Sequence, residues 1–222
     1  MFVEGATLGG AIELPPDEVQ KLRKVLRLSS GSEVAVLPND GSLLRCVLDG
    51  HRVRPEEQFW PDSESPICVT VAQSLPKGDK LEEIVRACTE LGVSRFVLFN
   101  SDRTVVRWDQ QKVADKLRRL AAIAREACEV SFRTQLPTIT WADSLGSVLE
   151  ATPEALVLSE YEGVARVLPI GATDPCIVVG PEGGWSSPEH SLIGDRAVTL
   201  GPRVLRVDHA APAAAALLLL QR

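Results

Sequence analysis

The chain has 222 residues, 45% of them hydrophobic and 24% charged, and carries a formal net charge of −6. That length holds one large domain or a small one beside a medium one, with a core large enough to need neither disulfides nor metals. The acidic balance excludes a protein that coats nucleic acid indiscriminately.

In chain order, Pro16 to Leu26 reads as a helix ending in basic residues, and Glu33–Leu37 and Leu43–Leu48 read as short strands. Pro38-Asn39-Asp40-Gly41 joins the two strands, and its Asp-Gly pair supplies the positive φ of a tight hairpin. The stretch from Arg54 to Pro66 has three prolines, four acids and no hydrophobic period, so it is expected to be a linker or long loop. Residues 1–62 are therefore expected to form a small β-rich domain, and residues 63–222 a second domain.

Beyond the linker, strands alternate with helices. Ile67–Gln73 and Arg95–Phe99 are apolar strand candidates, and Asp79 with Glu82 predicts a capping box between them. Leu81, Ile84, Val85, Cys88 and Leu91 follow at helical spacing, and Gly92 stands where that helix would end. A second helix is expected from about Asp109 to Glu129, with Val113, Leu117, Leu120 and Ile123 on one face. Leu156–Ser159, Ile177–Val179 and Ala197–Leu200 complete the strand candidates. Continuous apolar strands separated by helices predict an α/β fold with a parallel sheet covered on both faces. The last helix, from about Asp208, is apolar nearly all round and is expected to be buried in the sheet or against another subunit.

The terminal Ala/Leu run is interrupted by Pro212 and is too short to span a bilayer, so no membrane partner is expected. No basic segment followed by an apolar stretch opens the chain. Cys46, Cys68, Cys88, Cys128 and Cys176 are odd in number and form no C-x-x-C pair, which fits buried thiols in a reducing, cytoplasmic compartment. Residues 76–136 hold twelve Lys/Arg against nine Asp/Glu. Such a basic middle on an acidic chain suits docking onto one RNA site, or is an ordinary solvated helical face.

The chemistry concentrates in two turns. Val179-Gly180-Pro181-Glu182-Gly183-Gly184-Trp185-Ser186-Ser187-Pro188-Glu189 runs from a strand through three glycines into a helix start, with Ser186 placed to cap and Glu189 three residues on. Leu200-Gly201-Pro202-Arg203-Val204-Leu205-Arg206 follows the next strand. In a parallel sheet both turns fall at the carboxyl edge, where ligands bind. The spacing fits neither a dinucleotide loop nor a P-loop, so composition leaves a ligand loop and a tight structural turn both open. There is no G-x-S-x-G elbow, and His51, His190 and His209 lack metal-ligand spacing, so neither a hydrolase nor a metal site is indicated. His51 and His190 read as surface or cap residues.

These two turns, in this order, resemble those of the RsmE family, the 16S ribosomal RNA uridine-N3 methyltransferases of the SPOUT superfamily. Lys24-Val25-Leu26-Arg27-Leu28, Leu75-Pro76-Lys77-Gly78-Asp79-Lys80, Thr89-Glu90-Leu91-Gly92-Val93 and Ser101-Asp102-Arg103-Thr104 also resemble its segments. The resemblance implies a C-terminal α/β domain tied in a deep trefoil knot, an N-terminal PUA-like β-barrel and a homodimer acting on 16S rRNA or the small ribosomal subunit. It implies S-adenosylmethionine as methyl donor, held by Leu158, Gly180, Pro181, Glu182, Gly183, Gly184, Leu200, Gly201, Arg203, Leu205 and Arg206. Arg103 and Arg206 are the candidates for stabilising the target uracil or its phosphate, and Glu129, Asp208 and His209 for accepting its proton. RNA docking would involve Lys21, Arg23, Lys24 and Arg27 of the first domain, and Arg103, Arg107, Arg118 and Arg119 of the basic middle. Val130, Phe132, Val207 and His209 depart from the family's pattern. The departures near the last helix admit an alternative, an RNA-binding assembly factor of the same fold with reduced turnover.

Overall fold

The computed structural model describes residues 1–160 and 166–220. The chain divides into two units: Met1–Glu64 with Cys128–Leu136, and Ser65–Ala127 with the residues from Pro137 onward.

The first unit is built on an antiparallel sheet of β1 (Ile12–Glu13), β2 (Glu33–Val36), β3 (Leu43–Asp49) and β4 (Arg52–Phe59), in the order β1-β4-β3-β2. Period-two alternation turns Leu44, Cys46 and Leu48 of β3 to one face, where they pack with Val36, Val53, Leu14 and Leu22. Asn39 and Gly41 take the positive φ values, 71° and 94°, that close the hairpin between β2 and β3. β4 corrects the expected loop: Pro55, Glu56, Glu57, Gln58 and Phe59 are strand. Pro55 is tolerated because it lies opposite Cys46 at the register shift between Arg45 and Cys46. The expected helix is α only over Pro16–Gln20 (α1) and continues as a π turn over Lys21–Val25, where the Leu26 N–H reaches back five residues to the Lys21 carbonyl at 3.0 Å.

Residues 128–136 add a side-chain lattice to this unit. Cys128 packs with Phe2 and Leu37. The Glu129 carboxylate accepts from Lys21 Nζ at 2.8 Å and from the Phe2 N–H at 3.3 Å. Burial alone would raise the Glu129 carboxyl, but Lys21 and the N-terminal ammonium hold it below the ordinary range. Arg133, 5% exposed at its side chain, donates through Nε and NH2 to Glu64 at 3.1 and 3.0 Å. Glu64 also accepts the Thr134 and Gln135 N–H groups.

The second unit is a six-stranded sheet in the order β10-β8-β9-β5-β6-β7, with every pairing parallel. Its strands are β5 (Thr70–Ser74), β6 (Arg95–Phe99), β7 (Thr138–Ala142), β8 (Leu156–Leu158), β9 (Cys176–Val179) and β10 (Ala197–Val198). Alternate residues go to opposite faces. Val71, Phe96, Leu98, Ile177 and Val179 join one apolar layer with α2 (Lys80–Leu91), α3 (Gln110–Val130) and α6 (Val207–Leu219). Ala72, Phe99, Cys176 and Val178 join the other with α4 (Leu145–Ala151) and α5 (Ser187–Ile193). A sheet buried on both faces explains the apolar runs of β6, β8 and β9 and meets the α/β expectation. Gly92 ends α2 at φ 107°, as expected.

The expected Asp79–Glu82 capping box does not form. Asp79, at φ −93° and ψ 6°, is not in the extended conformation that turns a cap side chain over the first turn, and Glu82 pairs instead with Arg119 at 2.8 Å. β7 and α4 lie in a stretch with no strong sequence signal. No described helix is long and apolar enough to cross a membrane.

Replacing Glu64 by Ala takes the carboxylate from a buried guanidinium and from two backbone N–H groups. We expect a loss of about 3 kcal/mol in unfolding free energy by urea denaturation, and a loss under 1 kcal/mol would show that the Arg133 pair contributes little.

Candidate functional site

In the second unit the chain runs β5, β6, β7 to one side of the sheet and then crosses to β8, so the sheet's order reverses between β5 and β9. The carboxyl ends beside such a reversal form a crevice. Here the crevice is a cleft of about 430 Å³ lined by the ends of β8 and β9, the turn before α6, and Arg103 from the loop after β6.

The floor depends on one aromatic side chain. Trp185 is 4% exposed, stacks on Phe99 with ring centroids 6.4 Å apart, and donates its Nε1–H to the Leu158 carbonyl at 2.9 Å. Gly180 lies against the same indole. A Cβ at position 180 would lie 3.0 Å from the ring, so a side chain there would force the indole to shift, and glycine lets β9 leave the sheet closely over the tryptophan. The next turn closes through the Gly184 N–H to the Pro181 carbonyl at 2.9 Å. α5 then begins with the expected capping box, in which Ser186 Oγ accepts the Glu189 N–H and Glu189 accepts the Ser186 N–H.

The charges are held at the rim. The Glu182 carboxylate accepts the Lys77 N–H at 3.1 Å and pairs with Lys80. Burial would raise it, but Lys80 and the backbone N–H groups of Glu182 and Lys77 hold it below the ordinary range. Arg103 donates through NH1 to the Gly183 carbonyl at 2.9 Å. Arg206 donates to Asp208 at 3.1 Å, and the Asp208 carboxyl is lowered, burial being outweighed by its own N–H and by Arg206. At Glu160, burial pushes the carboxyl up, opposed in part by the Leu205 N–H.

Leu158, Gly180, Pro181, Glu182, Gly184, Leu205, Arg206 and Arg103 thus share one cleft. Gly183 lies beneath Arg103, whose Cβ would be 3.2 Å from a Cβ at that position. Leu200, Gly201 and Arg203 instead line an adjoining groove of about 380 Å³ beside Ala213, Ala216 and Leu217, with Leu205 forming a wall of both. Glu129 is engaged by Lys21 within the first unit. Asp208 and His209 belong to the first turn of α6, 3.8 Å apart. Arg23, Lys24 and Arg27 are exposed in the first unit with Val25 and Leu26 between them, whereas Lys21 is engaged with Glu129. Arg107 donates to the Asp102 carbonyl at 3.4 Å, Arg118 pairs with Asp115 at 2.9 Å, and Arg119 pairs with Glu82.

Sequence reasoning missed Ser159, Glu160, Lys80 and Trp185 as lining residues; His190, expected at the surface or at a cap, lies in the last turn of α5, where its carbonyl accepts the Gly194 N–H, and it also lines the cleft. Ser159 and Glu160 were detectable as the residues directly after a parallel strand; the others come from elements whose packing had to be seen. Among the described residues, no group of three or more His, Cys, Asp or Glu could hold a metal ion.

Trp185→Phe keeps the stacking on Phe99 but removes the donor to Leu158. Unfolding free energy should fall by about 1 kcal/mol in urea, and an unchanged value would remove the indole N–H from the account. Because the Glu182 carboxyl is lowered in the fold, its contribution is complete above the ordinary value of 4.5 and is lost as pH falls through the lower folded value. The stability difference between wild type and Glu182→Gln should therefore be largest near neutrality and shrink below that pH; a constant difference would contradict the ion pair's role.

Residues 63–219 match the RNA methyltransferase domain family. The ribosomal RNA small subunit methyltransferase E of Bacillus subtilis is 33% identical over 87% of this chain and 84% of its own length. The Synechocystis protein of the same name is 34% identical over 88% of this chain and 68% of its own. Among solved structures, a Legionella pneumophila protein with bound SAM superposes with a TM-score of 0.88 at 27% identity, covering 97% of this chain and 94% of that one. The Neisseria gonorrhoeae ribosomal RNA small subunit methyltransferase E bound to S-adenosyl methionine gives 0.85 at 28% identity, over 97% and 94%. With a carboxyl-edge cleft on a parallel sheet and matches along nearly its whole length, the chain belongs to the ribosomal RNA small subunit methyltransferase E family of RNA methyltransferases.

Proposed function

We propose that the cleft binds S-adenosylmethionine and that the protein methylates N3 of one uridine in 16S ribosomal RNA, in the cytoplasm. The observation that carries this reading is the makeup of the cleft. Its volume of about 430 Å³ suits a small-molecule site. Leu158, Val179, Pro181, Leu205, Val207 and Ala210 offer apolar wall for a flat base, while Glu160, Glu182, Lys80 and Arg206 offer polar partners for hydroxyl, ammonium and carboxylate groups. An adenosyl sulfonium has that mixed character. When bound, it supplies an electrophilic methyl group.

The neutral imide nitrogen of uracil has no available lone pair, so N3 must lose its proton before or as it attacks. Glu160 is assigned as the acceptor, because its carboxylate lines the cleft, is exposed to an incoming base, and is held above the ordinary carboxylate range, which favours taking up a proton. Glu129 is tied to Lys21 elsewhere, and Asp208, lowered and paired with Arg206, is the weaker base. Arg103 holds the negative charge that develops on the base oxygens. Leu200, Gly201 and Arg203 support the donor pocket from the adjoining groove rather than lining the cleft. A base inside folded RNA must leave its stack to reach this depth. Arg23, Lys24, Arg27 and Arg107 would hold phosphates during that step.

The finer architecture follows the same reading: a PUA-like barrel for residues 1–62, a knotted SPOUT domain for 63–222, and a homodimer. The knot is supported by α6, which follows edge strand β10 yet packs on α2, β5 and β9 in the middle of the sheet. The homodimer is supported by the groove along α6, whose walls are the apolar side chains of Leu200, Leu205, Ala213, Ala216 and Leu217, with Leu217 41% exposed.

Calorimetry with S-adenosylmethionine and nucleoside mass spectrometry of 16S RNA methylated in vitro test the reading together. Binding and one new 3-methyluridine are expected; absence of both would overturn it. Arg103→Ala and Glu160→Gln should each lower turnover by roughly 100-fold while leaving donor affinity within a few fold, and near-normal turnover would remove the corresponding role. Leu217→Glu should convert a dimer to monomer in light scattering, and a wild-type protein that is already monomeric would end the dimer proposal.

A further inference from the structure

The loop that carries Arg103 is fastened from outside the cleft. Within the loop, the Ser101 N–H donates to Thr104 Oγ1 at 2.9 Å, and Thr104 Oγ1 lies 2.9 Å from Ser74 Oγ at the end of β5. Two further bonds cross to the start of α5. The Asp102 N–H donates to Glu189 Oε1 at 3.0 Å, and Ser186 Oγ donates to the Asp102 carboxylate. Glu189 is 5% exposed and uses its second oxygen, Oε2, for the Ser186 N–H at 2.9 Å. A capping box requires only that second bond. The first reaches a residue 87 positions earlier in the chain, directly before Arg103.

We propose that Glu189 and Asp102 are positioning residues for Arg103. Glu189 holds the backbone of the Arg103 loop, and Asp102 locks that loop to Ser186, so that the guanidinium is set over Gly183 at the mouth of the cleft. This rests on the role given to Arg103 above. The chemical sense is direct. Arg103 has a long side chain with many rotamers, and its NH1–Gly183 bond orients it only if the loop and the glycine turn keep their spacing. Both ends of that spacing meet at one carboxylate: Oε1 binds the loop, and Oε2 binds the residue that ends the glycine turn. Removing it frees the loop from the turn without touching substrate.

The test is a double-mutant cycle on methyl transfer to small-subunit RNA. Glu189→Ala should lower kcat by roughly tenfold, with KM for the donor little changed, and Glu189→Gln, which keeps one carbonyl acceptor, should recover part of the loss. In the Arg103→Ala background the same Glu189 changes should alter kcat less than about twofold, because there is no guanidinium left to position. Asp102→Ala removes an exposed side chain and is expected to fold normally; it should cause a smaller loss that also vanishes with Arg103→Ala. Ser144→Ala, which removes the N-cap of α4, serves as the stability control and should leave kcat unchanged. An equal loss from Glu189→Ala and Asp102→Ala in both backgrounds, or normal kcat in the Glu189→Ala and Asp102→Ala proteins, overturns the positioning role while leaving Arg103 intact. Normal kcat in Arg103→Ala alone overturns both.

Discussion

Everything in the catalytic unit depends on a parallel sheet whose two faces are both dry. Most alternate residues of β5, β6 and β9 go to opposite apolar layers, and the buried Gln73 of β5 keeps its amide on the neighbouring Ser74 carbonyl, so the two faces leave little room for polar chemistry. Polar and backbone groups are then confined to the strand ends, and the reversal of strand order beside β5 opens a space at one of them. The cleft lies where the fold leaves room for polar groups, which is also why so much of its wall is the backbone of strand exits.

Within that space, geometry is set by a few residues that do not themselves face ligand. Trp185 illustrates this. Its ring fills the space under Gly180 and stacks on Phe99, while its N–H reaches the Leu158 carbonyl, so the exits of β8 and β9 are spaced by a rigid body. Glu182 does the same at the rim by tying the glycine turn to the start of α2, and Glu189 by tying it to the loop after β6. Three side chains from this turn and the first turn of α5 thus bind three neighbouring segments. A turn rich in glycine has high conformational freedom when isolated, and these attachments remove it.

The first unit shows a related economy. Residues 128–136, which follow most of α3, supply Cys128, Glu129 and Arg133 to its packing and polar lattice. Glu129 carries the charge that made it a candidate proton acceptor, yet Lys21 answers that charge within the unit, as Glu64 answers Arg133. Phe132, a departure from the family's pattern, takes φ 60° and is 77% exposed, so its ring has no part in that packing.

Sequence alone determined the alternation of strands and helices, the parallel sheet, the two glycine turns at its carboxyl edge and the Ser186–Glu189 cap, because each is a local pattern: apolar periodicity, a chain reversal, or a side chain reaching its own backbone three residues away. It misread β4, where Pro55 and a run of acids mask a strand sustained by pairing with β3, and Asp79, whose cap was displaced by a backbone conformation that no residue type announces. Only the tertiary structure separated Gly201 and Arg203 from the main cleft, brought Glu160, His190 and Trp185 into it, and engaged Glu129 in the first unit. Those outcomes depend on which distant segments become neighbours, and the free energy that decides this belongs to packing and charge pairing across the whole chain.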